Sequence, residues 1–323
     1  MKIGLTTSLP IEVIYASNNI PIDLNNILVS GNAEESVTYA EKKGFPRNIC
    51  AWIKGLYTIA KNSNIDELVG VVEGDCSNTH SLMSVLKSEG IKVSSFSYPY
   101  NRDKETLQRE ISAFADHFNI SWDQVIRTKN HLDKIREKLI RLDELTYQEN
   151  KVTGFENHLW LVSSSDFNGD YVRYNEELDI FLQEAQAREP RKNELRIAYL
   201  GVPPIITDIY STLEDLGARV VFNEVQRQFS MPYLESDIVD QYLKYTYPYN
   251  TEYRIKDILI ELEKRNIDAV ISYTQSFCHR QIDNILLKKA IDLPILVLEG
   301  DRPAVLDERT KLRIESFLEM LNG

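Results

Sequence analysis

Apolar and polar positions alternate along the first hundred residues in a way that predicts strands followed by helices. Ile3–Thr6 and Leu68–Val72 are compact apolar runs, which are typical of buried strands. Ile27–Val29 predicts a further strand between them. Within residues 45–62, spacings of three and four place Cys50 on the apolar face of a predicted helix. Strands and helices in this order predict a parallel sheet with helices on both faces.

The middle of the chain has a different pattern, and a second α/β unit follows it. Residues from 103 to about 190 repeat apolar positions at helical spacing and are rich in charge. The polar run 187–194 contains Pro190 and predicts a linker. Apolar strands return at Leu195–Leu200 and Arg219–Phe222. We therefore predict three regions, which are a first Rossmann-like domain over 1–102, a mainly helical lobe and linker over 103–194, and a second Rossmann-like domain over 195–323.

The two α/β units resemble each other in sequence. The tripeptide Asn-Ile-Asp at residues 64–66 precedes a predicted strand and then Cys76. The same tripeptide at residues 266–268 precedes a predicted strand and then Cys278 at the same separation. Because the register is kept across the tripeptide, the strand and the cysteine, we interpret the two units as products of internal duplication. The predicted fold is thus α/β, with two related parallel-sheet domains and an intervening helical segment.

Composition excludes several classes of function. Hydrophobic residues make up 43% of the 323 residues and charged residues 27%, an ordinary balance for a globular protein. The formal net charge of −12 argues against binding to nucleic acid, which requires clustered Lys and Arg. No segment approaches the ~20 apolar residues of a membrane helix, and the first residues lack a signal-peptide pattern. We expect a cytoplasmic protein with no membrane or nucleic-acid partner.

The three cysteines, Cys50, Cys76 and Cys278, are the candidate functional residues. Cys76 and Cys278 each follow a predicted strand, and ligands of parallel sheets bind beyond the carboxyl ends of the strands. At a strand-to-helix turn, backbone N–H groups and the helix dipole favour the thiolate, which is the form that binds metal. If the two units face each other, Cys76 and Cys278 converge, and Cys50 supplies a third thiol from the first domain.

Residue spacing alone leaves three readings of these thiols open. Three thiolates suit a cubane iron–sulfur cluster in which one iron has no cysteine ligand. Zinc is a rival metal, with His80 or His279 as a fourth ligand, although close cysteine pairs such as C-x2-C are absent from the sequence. The third reading is that the thiols are buried and inert. Since the sequence contains neither GxGxxG nor GxxxxGK[ST], we expect ATP hydrolysis to require a separate protein.

Four blocks of the chain resemble the 2-hydroxyacyl-CoA dehydratase and benzoyl-CoA reductase family. One block contains the first strand with its Pro and Glu, and each of the others contains one cysteine. The four blocks are TTSLPIEVIYASNNIPIDL, GFPRNICAWIKGLY, VVEGDCSNTHSLM and the segment from SYTQSFC to FLEML. Together the blocks extend from near the start of the chain to near its end. Within the family, the chain resembles the double-cubane cluster proteins.

The resemblance implies a function and a set of partners. It implies that Cys50, Cys76 and Cys278 hold a 4Fe–4S cluster, either alone or in a bridged 8Fe–9S double cubane within a homodimer. It implies a low-potential reductase or dehydratase component that receives single electrons from a separate ATP-hydrolysing iron–sulfur activator. A heterodimer with a related subunit is the other assembly that we consider. A non-catalytic iron–sulfur carrier or scaffold is the alternative function. The substrate and the acid or base residues are not predicted.

Overall fold

The computed structural model describes residues 1–192 and 194–322, and within them it contains two parallel sheets of four strands each. Asn193, in the predicted linker, and Gly323 lie outside the described residues. The strands of the first sheet are β1 (Lys2–Leu5), β2 (Ile20–Asp23), β3 (Glu67–Glu73) and β4 (Val93–Ser97). Those of the second sheet are β5 (Leu195–Leu200), β6 (Ala218–Asn223), β7 (Ala269–Gln275) and β8 (Ile295–Gly300). The predicted α/β class is confirmed.

Helices connect the strands and fill the segment between the two sheets. The first unit contains α1 (Ile11–Ala16), α2 (Leu24–Ser30), α3 (Ala33–Lys42), α4 (Ala51–Asn62) and α5 (Asn78–Ser88). The intervening segment contains α6 (Lys104–His117), α7 (Trp122–Tyr147), α8 (Gly154–Ser163) and α9 (Tyr171–Ala187). The second unit contains α10 (Ile209–Asp215), α11 (Glu224–Phe229), α12 (Ile238–Lys244), α13 (Thr251–Lys264), α14 (Asp283–Ala290) and α15 (Glu308–Asn322). Among these helices, none has the length and apolar character of a membrane-spanning helix.

The two sheets have the same topology. Their strand orders are β2-β1-β3-β4 and β6-β5-β7-β8, and every pairing is parallel. In each sheet the first and third strands are central. The second strand lies on the outer side of the first, and the fourth strand lies on the outer side of the third. The carboxyl ends of these two central strands therefore flank a topological switch point, where open α/β sheets bind their ligands.

The repeated Asn-Ile-Asp tripeptide occupies the same structural position in both units. In the first unit, the Lys2 backbone N–H donates to Asp66 Oδ2 at 2.6 Å. In the second, the Arg196 backbone N–H donates to Asp268 Oδ2 at 2.7 Å. The asparagine two residues before each of these aspartates has a φ of 49°. The tripeptide thus joins the start of the third strand to the start of the first in each unit, which supports an internal duplication.

The prediction of a strand at Ile27–Val29 was wrong. These residues lie in α2, and the strand instead runs from Ile20 to Asp23. Asp23 ends that strand and caps the helix, because its side chain accepts a hydrogen bond from the Asn25 backbone N–H. Pro21 lies inside the strand, where proline is tolerated because β2 is at the edge of the sheet. A short edge strand that contains proline has little of the pattern by which strands are recognised.

The intervening helices share a hydrophobic core with the first sheet. They pack over one face of that sheet, together with apolar residues from the segment around α11 and α12 of the second unit. The buried residues of this core include Ile3, Leu5, Val71, Leu107, Ile111, Leu132, Leu139, Leu178, Val225 and Tyr242. The boundaries at residues 102 and 194 stay predictions, since a shared core gives no boundary by itself.

Candidate metal centre

A cavity lies where the carboxyl ends of the two sheets face each other, and all three cysteines line it. The cavity has a volume of about 880 Å³, which includes space open to solvent. Its walls include the ends of β1, β2 and β3, the helices α2 and α4, and the segments that follow β5 and β7, with single residues from α8 and α11. Its other lining residues include Thr6, Thr7, Asp23, Asn25, Asn26, Trp52, Ile53, Asp75, Val202, Phe229, Tyr247, Gln275, His279 and Arg280.

Each cysteine is placed by a different connection between secondary-structure elements. Cys76 follows β3 and Cys278 follows β7, so the two repeated units each contribute one thiol from the same position. Cys50 directly precedes α4 as its N-cap residue. The prediction that Cys50 lies on the face of a helix was therefore wrong, because the segment before it is irregular and the helix begins at Ala51.

Burial controls the protonation of the free thiols. It raises the pKa of Cys50 to about 12, and it also raises the pKa of Cys76 and of Cys278. Backbone N–H groups at the start of the following helix or turn oppose this effect at each thiol, as predicted, but they do not outweigh it. Negative charge on Cys278 or Cys76 disfavours the thiolate of Cys50, so the three sulfurs lie close enough to interact. A metal must displace protons in order to bind here.

The arrangement of the thiols bears on the kind of metal centre that they can form. All three cysteines are free, so no disulfide competes for their sulfurs. Among the described residues, no group of three or more His, Cys, Asp and Glu side chains is arranged to hold a metal ion. His80 is exposed and does not line the cavity, whereas His279 lines it from an exposed position. A cubane does not require a mononuclear site, because its cysteines bind different irons.

Gly74 sets the path of the chain from β3 to Cys76. Its φ is +96°, a conformation that L-amino acids with side chains rarely adopt. A Cβ atom at this position would lie 2.8 Å from Pro248 Cβ and 3.0 Å from the Pro248 carbonyl oxygen. The loop that carries Cys76 therefore packs directly against the second unit, in a way that only glycine allows.

Gly74→Ala is expected to lower the free energy of unfolding by about 1–3 kcal/mol, because it combines backbone strain with a close contact. It is also expected to reduce iron retention, since relief of the contact moves Cys76. Denaturant unfolding and iron analysis measure the two effects. Gly90→Ala is the matched control, because Gly90 has a φ of +89° but nothing within 4 Å of its Cβ position. If Gly74→Ala and Gly90→Ala changed the unfolding free energy and the iron content equally, packing of Gly74 against Pro248 would contribute nothing to either quantity.

Several charged residues of the cavity were not predicted from the sequence. Arg280 donates a hydrogen bond from Nη2 to the Tyr247 carbonyl oxygen at 2.6 Å, and its guanidinium lies over the Tyr247 ring at 4.6 Å. Burial raises the pKa of Asp75 to about 6, although the Cys76 backbone N–H and the charge of Arg280 both lower it. Arg280 lies two residues after one cysteine and Asp75 directly before another. Their nearness to the cysteines in the sequence was thus the signal by which these charged residues could have been predicted.

Comparison with known proteins identifies the family of the chain. Residues 6–321 match the family model of the 2-hydroxyglutaryl-CoA dehydratase D-component, which covers nearly the whole chain. The chain belongs to this family. No curated protein matches it closely enough to add a relative. The resemblance predicted from the four sequence blocks is thereby confirmed, and the chain is a component of the 2-hydroxyacyl-CoA dehydratase type.

Proposed function

We propose that this D-component relative is an iron–sulfur enzyme component that holds a 4Fe–4S cluster through Cys50, Cys76 and Cys278. The observation that carries the proposal is the convergence of these thiols on one cavity from three separate connections. They are also the chain's whole set of cysteines. Inert structural thiols have no reason to meet at the switch point of two facing sheets, which is where α/β proteins bind ligands.

The chemistry of the proposed centre follows from its ligand count. Cys50, Cys76 and Cys278 would hold three irons of a 4Fe–4S cluster, which would supply single electrons at the cavity and would have one iron without a cysteine ligand. We infer that the electrons arrive one at a time from a separate ATP-hydrolysing iron–sulfur activator. The substrate is then reduced in the cavity, either in a net reduction or in the course of a dehydration.

Residues of the chain itself shape the space beside the proposed cluster. Apolar side chains, among them Ile53, Val202 and Phe229, form part of the cavity wall and limit access of water. Exclusion of water strengthens the interaction between charges inside the site. Arg280 places a positive charge at the cavity, where it favours the thiolate of Cys278. A cavity that extends beyond the thiols favours an enzyme over the alternative, a carrier or scaffold that only stores electrons.

The proposed assembly is a homodimer in which two such centres lie near a twofold axis. Each chain would leave one iron without a cysteine, and a single sulfide could bridge the two open irons as an 8Fe–9S double cubane. Four hydrophobic side chains close to Cys278 in the sequence are exposed, namely Phe277, Ile282, Ile285 and Leu286. This apolar surface is suited to a subunit contact. A heterodimer with a related subunit would use the same surface.

Protein purified without oxygen is expected to be brown and to contain about four irons per chain. The experiment that tests the proposal counts iron and sulfide per chain and measures the oligomeric mass in the same sample. A dimer with eight irons and a ninth sulfide would support the bridged form, and a dimer with four irons per chain and no extra sulfide would support separate cubanes. Colourless protein, or stoichiometric zinc without iron in protein never exposed to oxygen, would overturn the proposal. Activator-dependent turnover would separate the enzyme from the carrier.

A further inference from the structure

Two buried carboxyl groups, those of Asp23 and Asp166, lie together at the wall of the cavity. Asp23 ends β2 and lines the cavity. Asp166 follows α8 and does not line the cavity, but lies behind Asp23. The Asp23 backbone N–H donates to Asp166 Oδ2 at 2.7 Å. The two residues are only 4% and 5% exposed. They come from the first unit and from the helical segment, so the folded chain alone brings them together.

Neutral groups hold both carboxyl groups in place. Ser165 Oγ donates to Asp23 Oδ2 at 2.6 Å, and the Asn25 backbone N–H and side-chain amide donate to Asp23 Oδ1 at 2.9 and 2.7 Å. The Asn26 side-chain amide contacts Ser165 Oγ at 3.1 Å and Asp166 Oδ1 at 3.3 Å. The carboxyl groups are therefore linked through Ser165 and Asn26. In the part of the chain that the structure describes, no Lys or Arg forms an ion pair with either of them.

The charges around the pair oppose full ionisation. Burial raises the pKa of Asp166 to about 7, with repulsion from Asp23 as the second cause, and burial also raises the pKa of Asp23. The titratable groups that interact with the pair are Asp75 on the cavity side, Tyr15 from α1 and Tyr174 from α9. None of these neighbours is positively charged, and Arg280, which lines the same cavity, forms no ion pair with either carboxyl group. Two carboxylates that share a buried site without a cation retain one proton between them.

We propose that Asp23 and Asp166 share one proton and supply it, through the Asp23 carboxyl group, to a substrate that is reduced in the cavity. This proposal rests on the proposed function, which supplies the electrons. It adds a proton donor, Asp23, that the sequence did not predict. Asp23 is the member of the pair that reaches the cavity. Asp166 is a positioning residue, because a second buried carboxyl group beside Asp23 disfavours ionisation of both and so keeps one proton on the pair.

The proposed step balances in charge and atoms. A substrate that gains one electron from the activator carries one more negative charge and becomes more basic. Transfer of one proton from the pair to the substrate restores its charge and leaves both carboxyl groups ionised. Repulsion between the two buried carboxylates then favours the uptake of one proton from water, which returns the pair to its starting state.

The first test detects the shared proton in iron-free protein by infrared difference spectroscopy of the carboxyl stretch. Wild-type protein is expected to show a protonated carboxyl group below pH about 7 that ionises as the pH rises through this value. Asp23→Asn and Asp166→Asn are each expected to remove this signal or to shift it to lower pH. The exposed Asp103→Asn is the control and should leave this signal unchanged. A wild-type signal that persists unshifted in both variants would overturn the proposal.

Stability provides a second readout of the same proton. The raised pKa of Asp166 means that the folded state binds more protons than the unfolded state between pH about 4 and about 7. The contribution of this carboxyl group to the stability of the wild type is therefore highest below this window and falls as the pH rises through it. The denaturation midpoint of Asp166→Asn is expected to increase relative to the wild type over the same window. Parallel pH profiles for the two proteins would contradict a shared proton.

The final test links the pair to the redox centre, and it separates this proposal from the proposed function. In iron-loaded protein, the midpoint potential is expected to become more negative as the pH rises through the ionisation of the pair. Asp23→Asn should keep the iron content and the visible spectrum but lose this pH dependence. An identical pH dependence in the variant would overturn the role of Asp23. Failure of the wild type to bind iron would overturn the proposed function, while the infrared result would still decide whether the proton is shared.

Discussion

Each of the substitutions Cys50→Ala, Cys76→Ala and Cys278→Ala is expected to remove most of the iron from protein purified without oxygen. In the proposed cubane each thiolate would bind a different iron, so the loss of one would leave two irons without a protein ligand. Because Cys76 and Cys278 belong to different units, loss of either would also remove a link that the proposed cluster makes between the two sheets. Iron and sulfide analysis, together with the visible spectrum, measures the effect.

The control for this series must change a neighbouring residue without changing a ligand. Ser77→Ala meets this requirement, because Ser77 is exposed next to Cys76 and does not line the cavity. It is expected to keep the iron content of the wild type. Circular dichroism of the cysteine variants separates ligand loss from unfolding, which matters most for the buried Cys50. A variant with full iron and an unchanged spectrum would remove its cysteine from the ligand set.

Arg265→Met is expected to lower the free energy of unfolding by about 3–5 kcal/mol. Arg265 is fully buried, and its guanidinium binds Asp143 of α7 and Glu261 of α13, the latter at 2.8 Å from Nε to Oε2. It also lies over the rings of Tyr147 and Phe222. Methionine has a similar length but no charge, so the substitution leaves the buried Asp143 without its ion-pair partner, whereas Glu261 keeps its ion pair with Arg227. Denaturant unfolding at neutral pH measures the effect.

The effect of this substitution has a defined pH dependence. Burial raises the pKa of Asp143, but the charge and hydrogen bonds of Arg265, together with the charge of Arg227 and a hydrogen bond from Asn157, outweigh burial, and the net pKa lies below the ordinary value. The ion pair therefore contributes stability above the ordinary pKa of an aspartate, and this contribution is lost as the pH falls. The cost of Arg265→Met is expected to be largest near neutral pH and to shrink below pH about 4.

Lys264 offers a control that is adjacent in sequence and in space. Its Nζ lies 3.4 Å from Glu261 Oε1 and over the ring of Tyr147, but its side chain is half exposed. Lys264→Met is expected to cost less than about 1 kcal/mol, as is usual for exposed ion pairs. A similar loss of unfolding free energy in Lys264→Met and Arg265→Met would show that burial of the Arg265–Asp143 ion pair does not increase its contribution to stability.

Local pattern was sufficient for the elements that repeat or that are long. The amphipathic periodicity of residues 103–190 predicted a helical segment, and four helices are present there. The repeated tripeptide predicted two related units, and the two sheets have the same strand order. Local pattern failed where an element is short and its role depends on a neighbour. The strand Ile20–Asp23 pairs with β1 in spite of Pro21, and no nearby residue reveals that pairing.

Residue patterns were enough to predict the α/β class, the duplication and the candidate ligands, because Cys50, Cys76 and Cys278 are the only cysteines of the sequence. The surroundings of these cysteines depend on how the chain packs. Asp23 and Asp166 are far apart along the chain, and each looks like an ordinary polar residue in its own segment. Their raised pKa values arise from burial, and burial depends on how the first sheet packs against the helical segment. Desolvation is a property of the whole fold, so no local sequence pattern contains it.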